Sequence, residues 1–86
     1  MPEVSRFFGI VIRMYFDDHE PPHFHAVYAG KEAQFGIDPI GILEGEIPSR
    51  AASMVVERAA LHQGALLENW RRLRNDQSVE KIDPLV

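Results

Sequence analysis

The spacing of apolar residues changes once along this 86-residue chain. In residues 8–16, 23–29 and 31–37, apolar side chains occur at every second position, which is typical of β-strands. From Ser49 onward they are three or four positions apart, which is typical of an amphipathic helix. The helical stripe consists of Val55, Ala59, His62, Leu66, Trp70 and Leu73. This order predicts an α+β fold in which a small antiparallel sheet of three to four strands packs against one long C-terminal helix.

A glycine separates the second and third predicted strands. Gly30 readily adopts the positive φ that a tight hairpin turn requires. Loops made of residues 29–30 or 30–31 are both compatible with the sequence, and we favour the second because it pairs six apolar or aromatic residues. In either register His23 and His25 share the opposite face, so we expect them to point away from the core.

Composition and charge limit the classes of protein to which this chain can belong. The chain has the length of one domain, residues 1–86, and it contains no cysteine, which excludes disulfides and thiolate metal sites. No segment has the pattern of a signal peptide or a membrane span, so we expect a cytoplasmic protein. The net charge is −4, with the negative excess in residues 1–48, and this disfavours a nucleic-acid surface there.

Three of the four histidines lie within the stretch "DDHEPPHFHA", residues 17–26. On a strand, His23 and His25 would place both imidazoles on one face, and His19 precedes them by four residues across a turn stiffened by proline. Imidazole nitrogens are common ligands of zinc and other divalent metals. We therefore expect His19, His23 and His25 to be candidate metal ligands, with Asp17, Asp18 or Asp38 as an oxygen ligand.

The same stretch is the predicted binding surface even if no metal binds. That surface comprises Asp17, Asp18, His19, Pro21, Pro22, His23 and His25. The alternative is a well-packed loop, because histidine is tolerated at protein surfaces and paired aspartates are common in turns.

Three functions are compatible with these features. The first is a small binding or regulatory module that presents the histidines to a small protein partner or a divalent metal. The second is a metal-assisted hydrolase or nuclease in which Asp17 or Asp18 assists a histidine-bound ion. The third, nucleic-acid binding through Arg71, Arg72 and Arg74, is the weakest because these arginines lie beside acidic residues. The sequence contains no phosphate-binding glycine loop and no nucleophile elbow, which favours a module over an enzyme.

The segments "SRFFGIVIRMYF", "DDHEPPHFHA", "GEIPSR", "LLENW" and "KIDPL" together resemble a small bacterial family, domain of unknown function 4160. The block from Asp18 to Ala26 carries the most distinctive part of the resemblance. The resemblance implies a stand-alone cytoplasmic protein that works with a second small protein in a toxin–antitoxin-like pair. It implies no particular activity.

Overall fold

The computed structural model describes residues 3–82, which form a five-stranded antiparallel sheet and two helices. The strands are β1 Glu3–Phe7, β2 Ile10–Arg13, β3 His23–Tyr28, β4 Lys31–Ile37 and β5 Ile40–Gly45, and the helices are α1 Ser49–Leu61 and α2 Gln63–Arg74. Each strand pairs with the next one in the chain, in the order β1-β2-β3-β4-β5. The predicted α+β class is confirmed. The prediction of three to four strands and one long helix is wrong.

The extra strand is β1, which lies before the predicted strand 8–16, and the first two residues of that predicted strand form a turn. Phe8 and Gly9 both have positive φ, 48° and 78°, and they form the two-residue loop between β1 and β2. Such loops match the natural twist of paired strands. Phe8 continues the apolar alternation but is exposed, so the pattern alone hid the turn.

The hairpin between β3 and β4 turns at residues 29–30. Ala29 and Gly30 have φ values of 49° and 79°, and Phe24 pairs with Phe35. The favoured 30–31 loop is therefore wrong by one residue. Shifting the partner strand leaves each strand's own alternation unchanged, so the predicted division of β3 into two faces still holds.

The predicted long helix is broken at His62. This residue has φ −122° and ψ 24°, outside the helical region, and α2 restarts at the next position. Gly64 follows the break, and a Cβ built there would meet no atom within 4 Å, so it does not mark a close approach to the sheet. A single non-helical residue separates α1 from α2 while the three-to-four spacing of buried residues continues, which is why the periodicity did not reveal the break.

Both helices cover the face of the sheet that carries Ile12, Phe24 and Phe35. Large side chains from each layer are fully buried there, including Phe24, Phe35, Ile37, Val55 and Leu73. Among the described residues, no helix is long and apolar enough to cross a lipid bilayer.

The segment after α2 returns to the edge strand β1. Buried Asn69 donates from Nδ2 to the Glu80 carbonyl (2.9 Å) and accepts at Oδ1 from the Glu80 amide (2.8 Å). The Ile82 amide then donates to the carbonyl of Val4 in β1 (2.7 Å). This edge of the sheet is therefore partly closed by the chain itself.

Candidate metal centre

His23 and His25 lie on the face of the sheet opposite Ile12, Phe24 and Phe35, and α2 reaches this face at Trp70. The register places His25 between Arg13 of β2 and Gln34 of β4, and it places His23 beside Gly36. We call this surface, defined by Arg13, His23, His25, Gln34 and Gly36, the histidine face. The alternation of β3 is sufficient to bring both imidazoles onto it.

Both histidines are buried, and the prediction that they point away from the core fails for His23, because its ring contacts the core residue Trp70. The Tyr15 ring meets His25 edge-on with 4.5 Å between ring centroids, and Trp70 of α2 lies 5.4 Å from the His23 ring. Both imidazole side chains are only 8% exposed. A buried imidazole needs a hydrogen-bond partner or a metal ion at each of its two nitrogens.

Asp18 supplies the third member of the cluster. Its Oδ1 lies 3.2 Å from His25 Nε2 and 3.6 Å from His23 Nε2. Its Oδ2 accepts a hydrogen bond from the Tyr15 amide (3.2 Å), and its backbone carbonyl accepts one from Arg74 of α2. These contacts hold the carboxylate in place over the two rings.

The remaining ring nitrogens determine which tautomer each histidine adopts. His23 Nδ1 lies 2.8 Å from the Pro21 carbonyl oxygen, and His25 Nδ1 lies 2.8 Å from Oε2 of Glu32. A carbonyl or an ionised carboxylate only accepts, so both Nδ1 atoms carry the hydrogen and donate. In the neutral rings both Nε2 atoms therefore present lone pairs toward the Asp18 carboxylate.

If both rings are neutral and protonated at Nδ1, this arrangement brings together three acceptors and no donor. Within the described residues, one atom from each of Asp18, His23 and His25 lies within 4.8 Å of the others. Lone pairs and a carboxylate repel one another at this distance unless a cation lies between them, either a proton on an imidazole or a metal ion.

The spacing suits a metal ion. In tetrahedral zinc sites with bonds of about 2.0 to 2.1 Å, ligand atoms are about 3.3 Å apart. The two distances from Asp18 Oδ1 to the imidazoles, 3.2 and 3.6 Å, bracket this value. Donation of the other ring N–H to a carboxylate or carbonyl is also the usual way that metal-binding histidines are oriented.

The other predicted site residues surround this cluster without joining it. His19 and Asp17 are exposed, and His19 lies outside the group of candidate ligands. Pro21 contributes its carbonyl to His23, and the Pro22 carbonyl accepts from the Ile37 amide (3.1 Å). The histidine pair was predicted correctly as neighbours, and Asp18 is the aspartate that meets them.

An open depression borders the cluster. It has a volume of about 360 Å³ and is lined by Asp18, His19, Glu20, Pro21, His23, Gln34, Leu43 and Glu44. The depression gives a small ligand or a partner side chain access to the His23 side of the cluster.

Sequence reasoning missed Glu32, Tyr15 and Trp70. Glu32 was detectable from the correct hairpin register, because it lies two positions from Gln34, the direct partner of His25, on the same face. Tyr15 and Trp70 reach the cluster through a loop and a helix, and no local spacing signals those contacts.

The three arginines at the end of α2 form ion pairs or hydrogen bonds with nearby acceptors. Arg71 pairs with Glu68 (3.3 Å), and Arg72 pairs with Glu80 (3.1 Å). Arg74 donates to the Asp18 carbonyl, and its guanidinium lies 5.3 Å from the centre of the Trp70 ring. Each of the three cations therefore has a partner within residues 3–82.

Comparison with known proteins identifies a family. No curated protein and no solved structure matches the chain. The family model described as "Domain of unknown function (DUF4160)" matches residues 9–71, a span that contains the candidate ligands and most of both helices. The chain therefore belongs to the DUF4160 family, as its histidine-rich segment indicated.

Proposed function

We propose that this protein is a small metal-binding module that holds a divalent ion, such as zinc, through Asp18, His23 and His25. The observation that carries the proposal is the convergence of both Nε2 atoms on Oδ1 of Asp18 while both Nδ1 atoms donate elsewhere. A cation is the group that such a set of acceptors would stabilise.

The ligand set favours an open site over a closed structural one. Structural zinc sites usually have four protein ligands, whereas sites with three keep a position for water or another molecule. The depression beside His23 provides room for that further ligand. This supports a module whose metal contacts something outside the chain, in line with a binding or regulatory role.

The proposal is tested by calorimetric zinc titration of the metal-free protein near pH 7. We expect one equivalent to bind, and we expect His23→Ala, His25→Ala and Asp18→Asn each to weaken binding at least tenfold. His19→Ala is the matched control, because it removes an exposed histidine from the same segment, and it should retain nearly full affinity. Circular dichroism of each variant separates loss of the site from loss of the fold.

Two outcomes would contradict the proposal. One is a folded wild-type protein that binds no zinc, nickel or cobalt at micromolar concentration. The other is a His19→Ala variant that loses as much affinity as His25→Ala, since that would place the metal elsewhere.

A metal-assisted hydrolase is a second candidate, and one observation favours it. Glu20 and Glu44 line the same depression as His23, so a carboxylate is available near the open side of the site to accept a proton from metal-bound water. Zinc-loaded protein should then hydrolyse an activated ester or phosphodiester, and His25→Ala should remove that activity. Equal rates for both proteins would eliminate this candidate.

A further inference from the structure

The two edge strands of the sheet, β1 and β5, differ in whether another segment of the chain hydrogen-bonds to them. The β1 edge receives the Ile82 amide, whereas β5 pairs only with β4 within residues 3–82. The outer edge of β5 therefore presents backbone amides and carbonyls that no described strand covers. Unpaired edges of this kind bind extended segments of other chains.

The side chains of β5 are also suited to pairing with another strand, because two large apolar ones are exposed. Ile42 and Leu43 are 51% and 52% exposed. Leu43 is the extra residue of a bulge, because Phe35 pairs with Ile42 while its neighbour Gln34 pairs with Glu44. The bulge places the Leu43 methyl groups close to Gly36, where a built Cβ would lie 3.7 Å from them. Leu43 thus stands at the border of the histidine face.

The charge around β5 has one sign. No lysine or arginine occurs between Lys31 and Arg50, and the acidic residues of that interval are Glu32, Asp38, Glu44 and Glu46, all exposed. Glu44 and Glu20 also line the depression beside β5. A basic strand would be attracted to this edge, whereas a second copy of β5 would bring the same carboxylates against it.

We propose that β5 binds an extended segment of a partner protein as a sixth strand, and that this segment alternates apolar residues with lysine or arginine. The backbone edge would supply the hydrogen bonds of the added strand. Ile42 and Leu43 would contact its apolar side chains, and one basic side chain would enter the depression between Glu20 and Glu44. This inference does not require a metal ion.

The test uses a synthetic peptide about as long as β5 that alternates valine and lysine, with a valine–glutamate peptide as the matched control. Amide NMR of the full chain should show shifts in residues 40–45 and around the depression with the lysine peptide only. The double variant Glu44→Lys, Glu46→Lys should weaken binding at least tenfold. His25→Ala should keep peptide binding while losing zinc, so this inference and the metal proposal can fail separately.

Any of the following results would overturn the inference. They are equal binding of the two peptides, shifts centred on β1 instead of β5, and absence of saturable shifts in a folded protein. Concentration-dependent dimerisation of the wild-type chain through residues 40–45 would also overturn it, because a second copy would then occupy the edge.

Discussion

Oδ1 of Asp18 lies 3.2 Å from Nε2 of His25, although the two residues come from a loop and a strand seven positions apart. The contact joins two acceptors unless a proton or metal ion lies between them, because the other nitrogen of His25 already donates to Glu32.

Glu32→Gln should weaken zinc binding by roughly tenfold without unfolding the protein. Glu32 contacts no metal in this account but orients the His25 ring and raises its basicity, and loss of such partners typically costs tenfold to a hundredfold in affinity. Calorimetric titration measures the change. Glu46→Gln removes another exposed carboxylate that is not one of the candidate ligands, and this variant should bind zinc as the wild type does. Equal affinity in all three proteins would exclude the proposed role of Glu32.

Zinc should stabilise the fold against heat. An ion that binds only the native state at a hundred times its dissociation constant adds about 2.7 kcal/mol to the free energy of unfolding. For a domain of this size, that corresponds to a rise in Tm of roughly 10 to 20 °C. Differential scanning calorimetry should show the rise in the wild type and in His19→Ala. A similar rise in His25→Ala would show that zinc acts at another place.

Trp70 should report metal binding through its fluorescence. It is the chain's one tryptophan, and its ring centre lies 5.4 Å from that of His23. Copper or nickel ions bound to His23 would lie close enough to quench the indole strongly. We expect one equivalent to remove more than half of the emission in the wild type and in His19→Ala. Unchanged emission, together with calorimetric binding, would place the ion away from His23.

Asn69→Ala should destabilise the protein by about 2 to 3 kcal/mol, because it leaves the amide and the carbonyl of Glu80 without their buried partner. The Ile82 amide should then exchange faster with solvent, since its bond to Val4 depends on the position of this segment. Chemical denaturation and hydrogen exchange measure the two effects. Gln77→Ala, at an exposed position of the same segment, should change neither. Unchanged protection of Ile82 in Asn69→Ala would mean that Asn69 does not hold the segment on β1.

The sequence was sufficient for the α+β class and for the pairing of His23 with His25 on one face. Both follow from local alternation, which a shift of one residue in the partner strand does not alter. Trp70 and Leu73 were likewise expected in the core because helical spacing identifies a buried stripe, and both are buried.

The sequence did not reveal features that depend on the backbone conformation of a single residue or on contacts between residues far apart in the chain. Phe8 occupies a turn at positive φ although its apolar character continues the strand pattern, and His62 breaks a helix whose periodicity runs on. Glu32 reaches His25 only in the register set by the turn at Ala29, which the residue types alone left open. The sequence could not select Asp18 over Asp17 and Asp38, because the choice depends on a loop conformation that hydrogen bonds from the Tyr15 amide and Arg74 stabilise.

The tautomers of His23 and His25 distinguish a metal-bound cluster from one held by hydrogen bonds alone. Long-range nitrogen NMR of the imidazole rings, recorded near pH 7 during a zinc titration, resolves which nitrogen carries hydrogen and which binds the ion. We predict that one equivalent of zinc leaves His23 and His25 protonated at Nδ1 and shifts both Nε2 signals, while His19 does not change. Hydrogen retained on either Nε2 in the presence of zinc, or zinc-dependent shifts centred on His19, would contradict the account.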